Sequence, residues 1–417
     1  MSELEARISG PVTRRVFIKG VGLTGVAAFL AACAPGGGAT TPPAVTTTPT
    51  TAPGASPTPT PVPTAKVATG PLKFANWTAY IDLTGAASDA GQYAAGSSPT
   101  IETFQQKYGV QVDYEEKIDD NNSFVATVKP ALVAGLATGW DLMVLTDWMA
   151  AKIIASNWAE KIDQENVPNC VANLRDPLKG QVWDPTNDYH YPWQSGMTGI
   201  GYNTTAFKDN GLAAPTKIAD LWKVPPNKLT FLSEARDTFG LALLKLGIKT
   251  DPATVTDADL QRVFDDIKPL VDGGLRFTGN SYLNDFGQKK VWAAFVWSGD
   301  LASSAGPDDE FVFPEEGTMI WTDNMLIPKG ASNKYTAELM MDFVYDPEVA
   351  ANIADWVYYV SPVKGITDLI KALDPGAETN PLLFPTDAII AKQQNFQFLP
   401  DALEAKMNDL FSTLSGV

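Results

Sequence analysis

From Leu72 onward the chain alternates between the two-residue hydrophobic period of a strand and the 3.6-residue period of a helix, and this most limits the architectures open to it. Leu72-Lys73-Phe74-Ala75-Asn76-Trp77 predicts a strand, and Pro99 opens a helical stretch through Tyr108 that Gly109 ends. Residues 110–114 predict a second strand. Residues 124–136 predict a helix that Pro130 should kink or split. Further strands are expected at 141–145, 198–203, 229–232, 292–297 and 318–327. Helices are expected near 218–222 and over 235–246, 258–271, 336–343 and 349–357. Short strands interleaved with helices imply an α/β fold. There is no internal repeat, and residues 71–417 exceed a typical domain of about 150 residues more than twofold, which implies two α/β lobes.

The first 70 residues belong to a different kind of chain. Thr13-Arg14-Arg15-Val16-Phe17-Ile18-Lys19 precedes an apolar run from Val21 to Ala32, which is too short for the roughly 20 residues of a membrane span. A basic head, a short apolar run and small residues at its end read as a signal peptide over 1–32. The arginine pair is similar to a twin-arginine export signal, and Leu30-Ala31-Ala32-Cys33 to a lipobox, which makes Cys33 a lipid-carrying mature N-terminus. Residues 33–70 are then a tether: 34–65 carry no charge and nine prolines, which favour extended polyproline II over a packed core. The expected location is outside the cytoplasm, anchored to a membrane through that lipid.

Acidic residues outnumber basic ones 48 to 31, for a net charge of −17. Such a chain repels phosphate backbones, which excludes nucleic acid as a partner, and concentrates cations at its surface. One histidine, His190, and two cysteines, Cys33 and Cys170, leave no His/Cys zinc set; no metal or other cofactor is expected. With Cys33 acylated, Cys170 is read as a small buried apolar residue.

Several tryptophans stand beside polar residues at predicted strand ends: Trp77-Thr78, Asp147-Trp148, Trp297-Ser298 and Trp321-Thr322-Asp323. In α/β sheets ligands bind beyond the carboxyl ends of strands, and aromatic rings attract organic cations. Glu234 and Asp237, three apart where a strand gives way to a helix, share a helical face, a placement that equally suits acids complementing a helix dipole. Asp323 falls on the same side of a strand as Trp321. Carboxylates among indoles fit a polyvalent cation; they also fit the acid pair and sugar-stacking rings of a glycosidase.

The segments LKFANWTAY (72–80), DLMVLTDW (141–148), DPTNDYHYPWQSGMTGIGYN (184–203), SEARDTFGLALLKL (233–246), FVWSG (295–299), IWTDNMLIP (320–328) and YYVSP (358–362) occur in an order and spacing that resemble the spermidine/putrescine-binding lipoproteins of bacterial ABC importers. That resemblance implies a two-lobed type II periplasmic-binding-protein fold with a ligand cleft between the lobes and crossover strands joining them. It puts 71–199 with 320–365 in one lobe and 200–319 with 366–417 in the other. The protein would capture a polyamine and hand it to membrane permease subunits, as a monomer without chemistry of its own. Carried over, the ligand wall is Trp77, Thr78, Tyr80, Thr146, Trp148, Glu234, Asp237, Trp297, Trp321, Asp323 and Tyr359. Ala79 stands where the family commonly has an acid, which Asp147 can replace only if the preceding strand has ended. Gln394 and Gln397 both fit the family's last ligand residue, and the segment 82–98 is longer than the usual family loop. Two other readings stay open: a ferric-ion-binding receptor of the same fold, using Tyr358-Tyr359 and His190, and a secreted glycoside hydrolase.

Overall fold

The computed structural model describes residues 66–84, 94, 96–304 and 306–416. The segments expected to be a signal peptide and a tether lie outside the described residues as far as residue 65, Cys33 included, as does most of the long segment 82–98.

Among the described residues ten strands form one sheet. In chain order they are β1 (Leu72–Trp77), β2 (Val112–Ile118), β3 (Leu142–Thr146), β4 (His190–Asn203), β5 (Leu229–Leu232), β6 (Arg276–Thr278), β7 (Ala293–Trp297), β8 (Asp309–Val312), β9 (Thr318–Leu326) and β10 (Gln393–Gln394). The spatial order is β2-β1-β3-β9-β4-β7-β5-β6, with β8 on β4 and β10 on β9. The order repeats itself: β1 lies parallel between β2 and β3, and β5 parallel between β6 and β7. Each parallel unit is finished by an antiparallel strand, β9 against β3 and β4 against β7. β4 and β9 then pair antiparallel with each other, which joins the halves.

The parallel strands read as continuous apolar runs because helices cover both faces: every residue of β3, β5 and β7 is buried. The first helix, Pro99–Tyr108, obeys its local signals. Ser98 caps Ile101 N–H, proline takes the first turn, and Gly109 ends it at φ 67°. Cys170 is buried, its thiol against the Met341 carbonyl.

Three expectations are corrected, and one helix is added. The second strand is shifted to 112–118, because its charged residues mark a half-exposed edge strand paired on one side only. The helix Asn121–Val133 is not split at Pro130, which lies in its last turn, where little helix remains to be broken. The strand expected at 198–203 begins eight residues earlier, at His190; Pro192 and Gln194 flank a bulge, and all fourteen residues are buried, so no alternation announces it. A closing helix, Asp401–Ser415, was not expected at all. It packs on the helix Asp257–Asp272 and sets Phe411 against Phe239 and Phe277.

Candidate functional site

The carboxyl ends of β1, β3, β5 and β7 point at one another across the crossing strands β4 and β9. Between them lies a cavity partly open to solvent, with about 460 Å³ of space between its lining residues, open solvent included. All eleven residues expected at the site line it: Trp77, Thr78, Tyr80, Thr146, Trp148, Glu234, Asp237, Trp297, Trp321, Asp323 and Tyr359. Four more complete the wall: Arg236, Asn280, Asp300 and Gln397.

The aromatic residues form two sets of edge contacts. Trp77 meets Trp297 at 6.0 Å between ring centroids, Tyr80 meets Tyr359 at 5.1 Å, and Tyr359 meets Trp321 at 5.3 Å. Their polar ends are fixed. The Trp77 indole donates to the Val144 carbonyl and the Trp321 indole to the Thr198 hydroxyl, both at 3.1 Å. Glycines make room: a Cβ on Gly196 would come within 2.4 Å of the Trp321 ring, and one on Gly299 within 2.5 Å of the Tyr359 ring.

Each carboxylate is held by donors. Asp323 accepts the Tyr80 hydroxyl at 2.9 Å and the Thr146 hydroxyl at 2.7 Å. Asp237 accepts the Thr198 hydroxyl at 2.8 Å and the Trp297 indole at 2.9 Å. Asp300 accepts the Tyr359 hydroxyl at 2.7 Å and the Tyr282 hydroxyl at 2.8 Å, with Asn280 on the same oxygen as Tyr282. Glu234 accepts the Asn121 backbone N–H. Burial disfavours the charged form more than these donors favour it. It pushes Asp323 up to about 7 and Asp237 up to about 6, and raises Asp300 and Glu234 as well. Two further acceptors in the wall, Asn280 Oδ1 and Gln397 Oε1, are buried without a hydrogen-bond partner. The wall's one cation, Arg236, lies 3.4 Å over the Trp148 ring and pairs with Glu404 at 2.9 Å.

The remaining sequence candidates fall elsewhere. Asp147 begins the helix Asp147–Ala155, lies outside the cavity and accepts from Asn324, so it does not make up for Ala79. Gln397 lines the cavity; Gln394 pairs instead in β10. His190 is stacked on Trp183 with its Nδ1 2.7 Å from Asp184, away from the cavity. The tyrosine pair diverges, Tyr358 donating to Asp374 and Tyr359 to Asp300. The iron-ligand set Tyr358-Tyr359-His190 is therefore not assembled. Asp300 had a faint signal in sequence, three residues past Trp297 at a strand end; Asn280 had none.

A family model for bacterial extracellular solute-binding proteins matches residues 100–385. The chain belongs to that family. Among relatives of this solute-binding protein is the spermidine/putrescine-binding periplasmic protein of Salmonella typhimurium, 28% identical over 324 residues, which cover 77% of this chain and 85% of that one. The putrescine-binding periplasmic protein PotF of Escherichia coli is 28% identical over 312 residues, 70% of this chain and 81% of that one. The structure of the spermidine/putrescine ABC transporter substrate-binding protein PotD from Streptococcus pneumoniae superposes with a TM-score of 0.62 at 24% identity, covering 83% of this chain and 98% of that one. The fold is the two-lobed type II periplasmic-binding-protein fold.

Proposed function

We propose that this solute-binding protein captures a slim polyvalent organic cation, a polyamine of the putrescine or spermidine type, and delivers it to the permease of an ABC importer without chemistry of its own. One observation carries the reading. The cavity collects four buried carboxylates and two orphaned amide oxygens along an aromatic wall, while its single cation is already stacked and paired. Such a wall is built to accept hydrogen bonds from ammonium groups, whose burial is tolerable only when they are paired and hydrogen-bonded. The rings supply flat apolar surface for the methylenes between them. The relatives named for spermidine and putrescine support the same reading. A ferric receptor would need open oxygen coordination in place of indoles, and a glycosidase would act on neutral sugar.

Within this reading the groups that face the ligand are the sequence-expected set other than Glu234, with Asp300, Asn280 and Gln397 added; Glu234 lines the wall with its side chain engaged by Asn121. Lobe one is 71–199 with 320–365, and lobe two 200–319 with 366–417. The packing of Asp401–Ser415 on Asp257–Asp272 supports putting the C-terminus in the second. A thermal-shift panel of diamines and triamines tests the ligand. A ligand at 100 times its Kd adds about 2.7 kcal/mol to stability, and absence of any shift with every polyamine sinks the assignment. Gly299→Ala is expected to push Tyr359 away from Asp300 and weaken polyamine binding about tenfold, since overpacking costs about 1–3 kcal/mol. Unchanged calorimetric affinity would show that the tyrosine can give way freely.

We further propose that the protein is exported, acylated at Cys33 and tethered by 33–70, and acts as a monomer. Cys33→Ser is expected to move the protein from the membrane fraction to the soluble fraction with its affinity unaltered. Retention of that variant in washed membranes would refute the anchor.

A further inference from the structure

The turn after β5 reaches across the cavity at two points. At the first, Glu234 Oε1 accepts both the backbone N–H and the side-chain Nδ2 of Asn121, each at 2.9 Å. Asn121 opens the helix Asn121–Val133, which follows β2 in the other half of the sheet. An acid of one half thus sits on the helix start of the other, where free N–H groups and the helix dipole favour it. Asn121 is itself fixed: Nδ2 also donates to the Thr146 hydroxyl at 2.8 Å, and Oδ1 accepts the Thr146 N–H at 3.1 Å.

At the second point, two residues on, Arg236 stacks on Trp148 of the first half while donating to the Gln397 carbonyl and pairing with Glu404. Glu404, on the closing helix, also binds Lys152, which shares the helix Asp147–Ala155 with Trp148. The Arg236 and Glu404 side chains are 3% and 6% exposed, so their pair is a desolvated contact and not a loose surface pair.

We infer that Glu234 is a positioning residue: with Arg236 it clasps the second half of the molecule to the first, and the ammonium groups are left to the other carboxylates. This narrows the role that the family resemblance gives Glu234, and for its affinity arm it rests on the polyamine reading. Both hydrogen bonds that the Glu234 side chain accepts come from the opposite half, with geometry that a neutral amide oxygen reproduces. A ligand-pairing acid needs its charge; a clasp of this kind needs only its acceptor.

Two measurements separate the roles. At the cleft rim, a Cβ on Gly279 would lie 2.2 Å from the Asp119 carboxylate, so the halves touch there. In an Asp119→Cys/Gly279→Cys background without ligand, the rate of disulfide formation reports how often the cleft closes. Adding Glu234→Ala is expected to slow cross-linking about tenfold, the scale of leaving buried donors without their acceptor, and Glu234→Gln to restore the rate to within about twofold. For putrescine binding by calorimetry, Glu234→Gln is expected to stay within about threefold of wild type, while Asp323→Asn falls by about a hundredfold. Unchanged cross-linking in Glu234→Ala overturns the clasp. Equal affinity losses in Glu234→Gln and Asp323→Asn make Glu234 an ammonium partner instead. A wild type that binds no polyamine sinks the ligand reading alone, because the cross-linking arm uses no ligand.

Discussion

Asp323→Asn is expected to lower polyamine affinity by about a hundredfold or more in titration calorimetry, the scale of leaving one partner of a buried pair uncompensated. The carboxylate is 4% exposed, and both its oxygens are held by Tyr80 and Thr146, so it cannot swing away to let water take its place. The amide keeps the shape and removes the charge, which isolates the electrostatic part. Asp237→Asn should behave alike, since Thr198 and Trp297 lock that group in the same manner. If both variants bind as wild type, the cavity's acids play no part in recognition.

The same groups set the pH dependence. Burial lifts Asp323 to about 7 and Asp237 to about 6. A bound ammonium favours the ionised form, so affinity should fall as pH drops from 8 to 5, and binding near pH 6–7 should release protons. Stability of the free protein runs the other way. Both acids hold a proton more tightly folded than unfolded, so the folded state binds more protons between pH 4 and 7 and loses stability as pH rises through that window. Over that range the free protein's Tm contribution from these groups should decline while the ligand-induced shift grows. Proton release measured in buffers of different ionisation enthalpy checks the sign; proton uptake would contradict it.

The second large effect belongs to the rings. Trp297→Ala and Trp321→Ala are each expected to cost about 1–3 kcal/mol of polyamine affinity, from lost cation–π attraction and lost apolar contact. Trp321 also anchors Thr198, which in turn donates to Asp237, so its removal should loosen the acid as well. Phe replacements should cost less. Normal binding by both alanine variants would make these indoles core residues only.

Much of the site could be read from sequence because strand ends carry it. Trp77, Thr146 and Trp297 close strands whose apolar runs are plain, whereas Trp321 and Asp323 stand inside the crossing strand β9 and not at the strand end expected for them. What sequence hid was of two kinds. β4 is buried on every residue and broken by proline and glycine, so it showed only its last six residues. Asn280 and Gln397 arrive from irregular segments, where no period exists to place them. Gln397 could be offered only beside Gln394, and the crossing contacts of Glu234 and Arg236 depend on how two halves meet, which no local pattern encodes.

The crossing strands have a mechanical consequence. β4 and β9 are hydrogen-bonded side by side, and the sheet runs through the crossing without a break. Opening therefore has to twist or bend that ribbon instead of swinging on a loose thread, and a ribbon resists sliding far more than torsion. Trp321 and Asp323 belong to β9 itself, so a solute in the cavity grips the axle of the motion. At the axle the lever arm is shortest: a sub-ångström displacement there sweeps the outer tips of the lobes through a much larger arc. A small cation can thus be announced at the far surface of the protein, where a membrane partner would feel the arc and not the ligand.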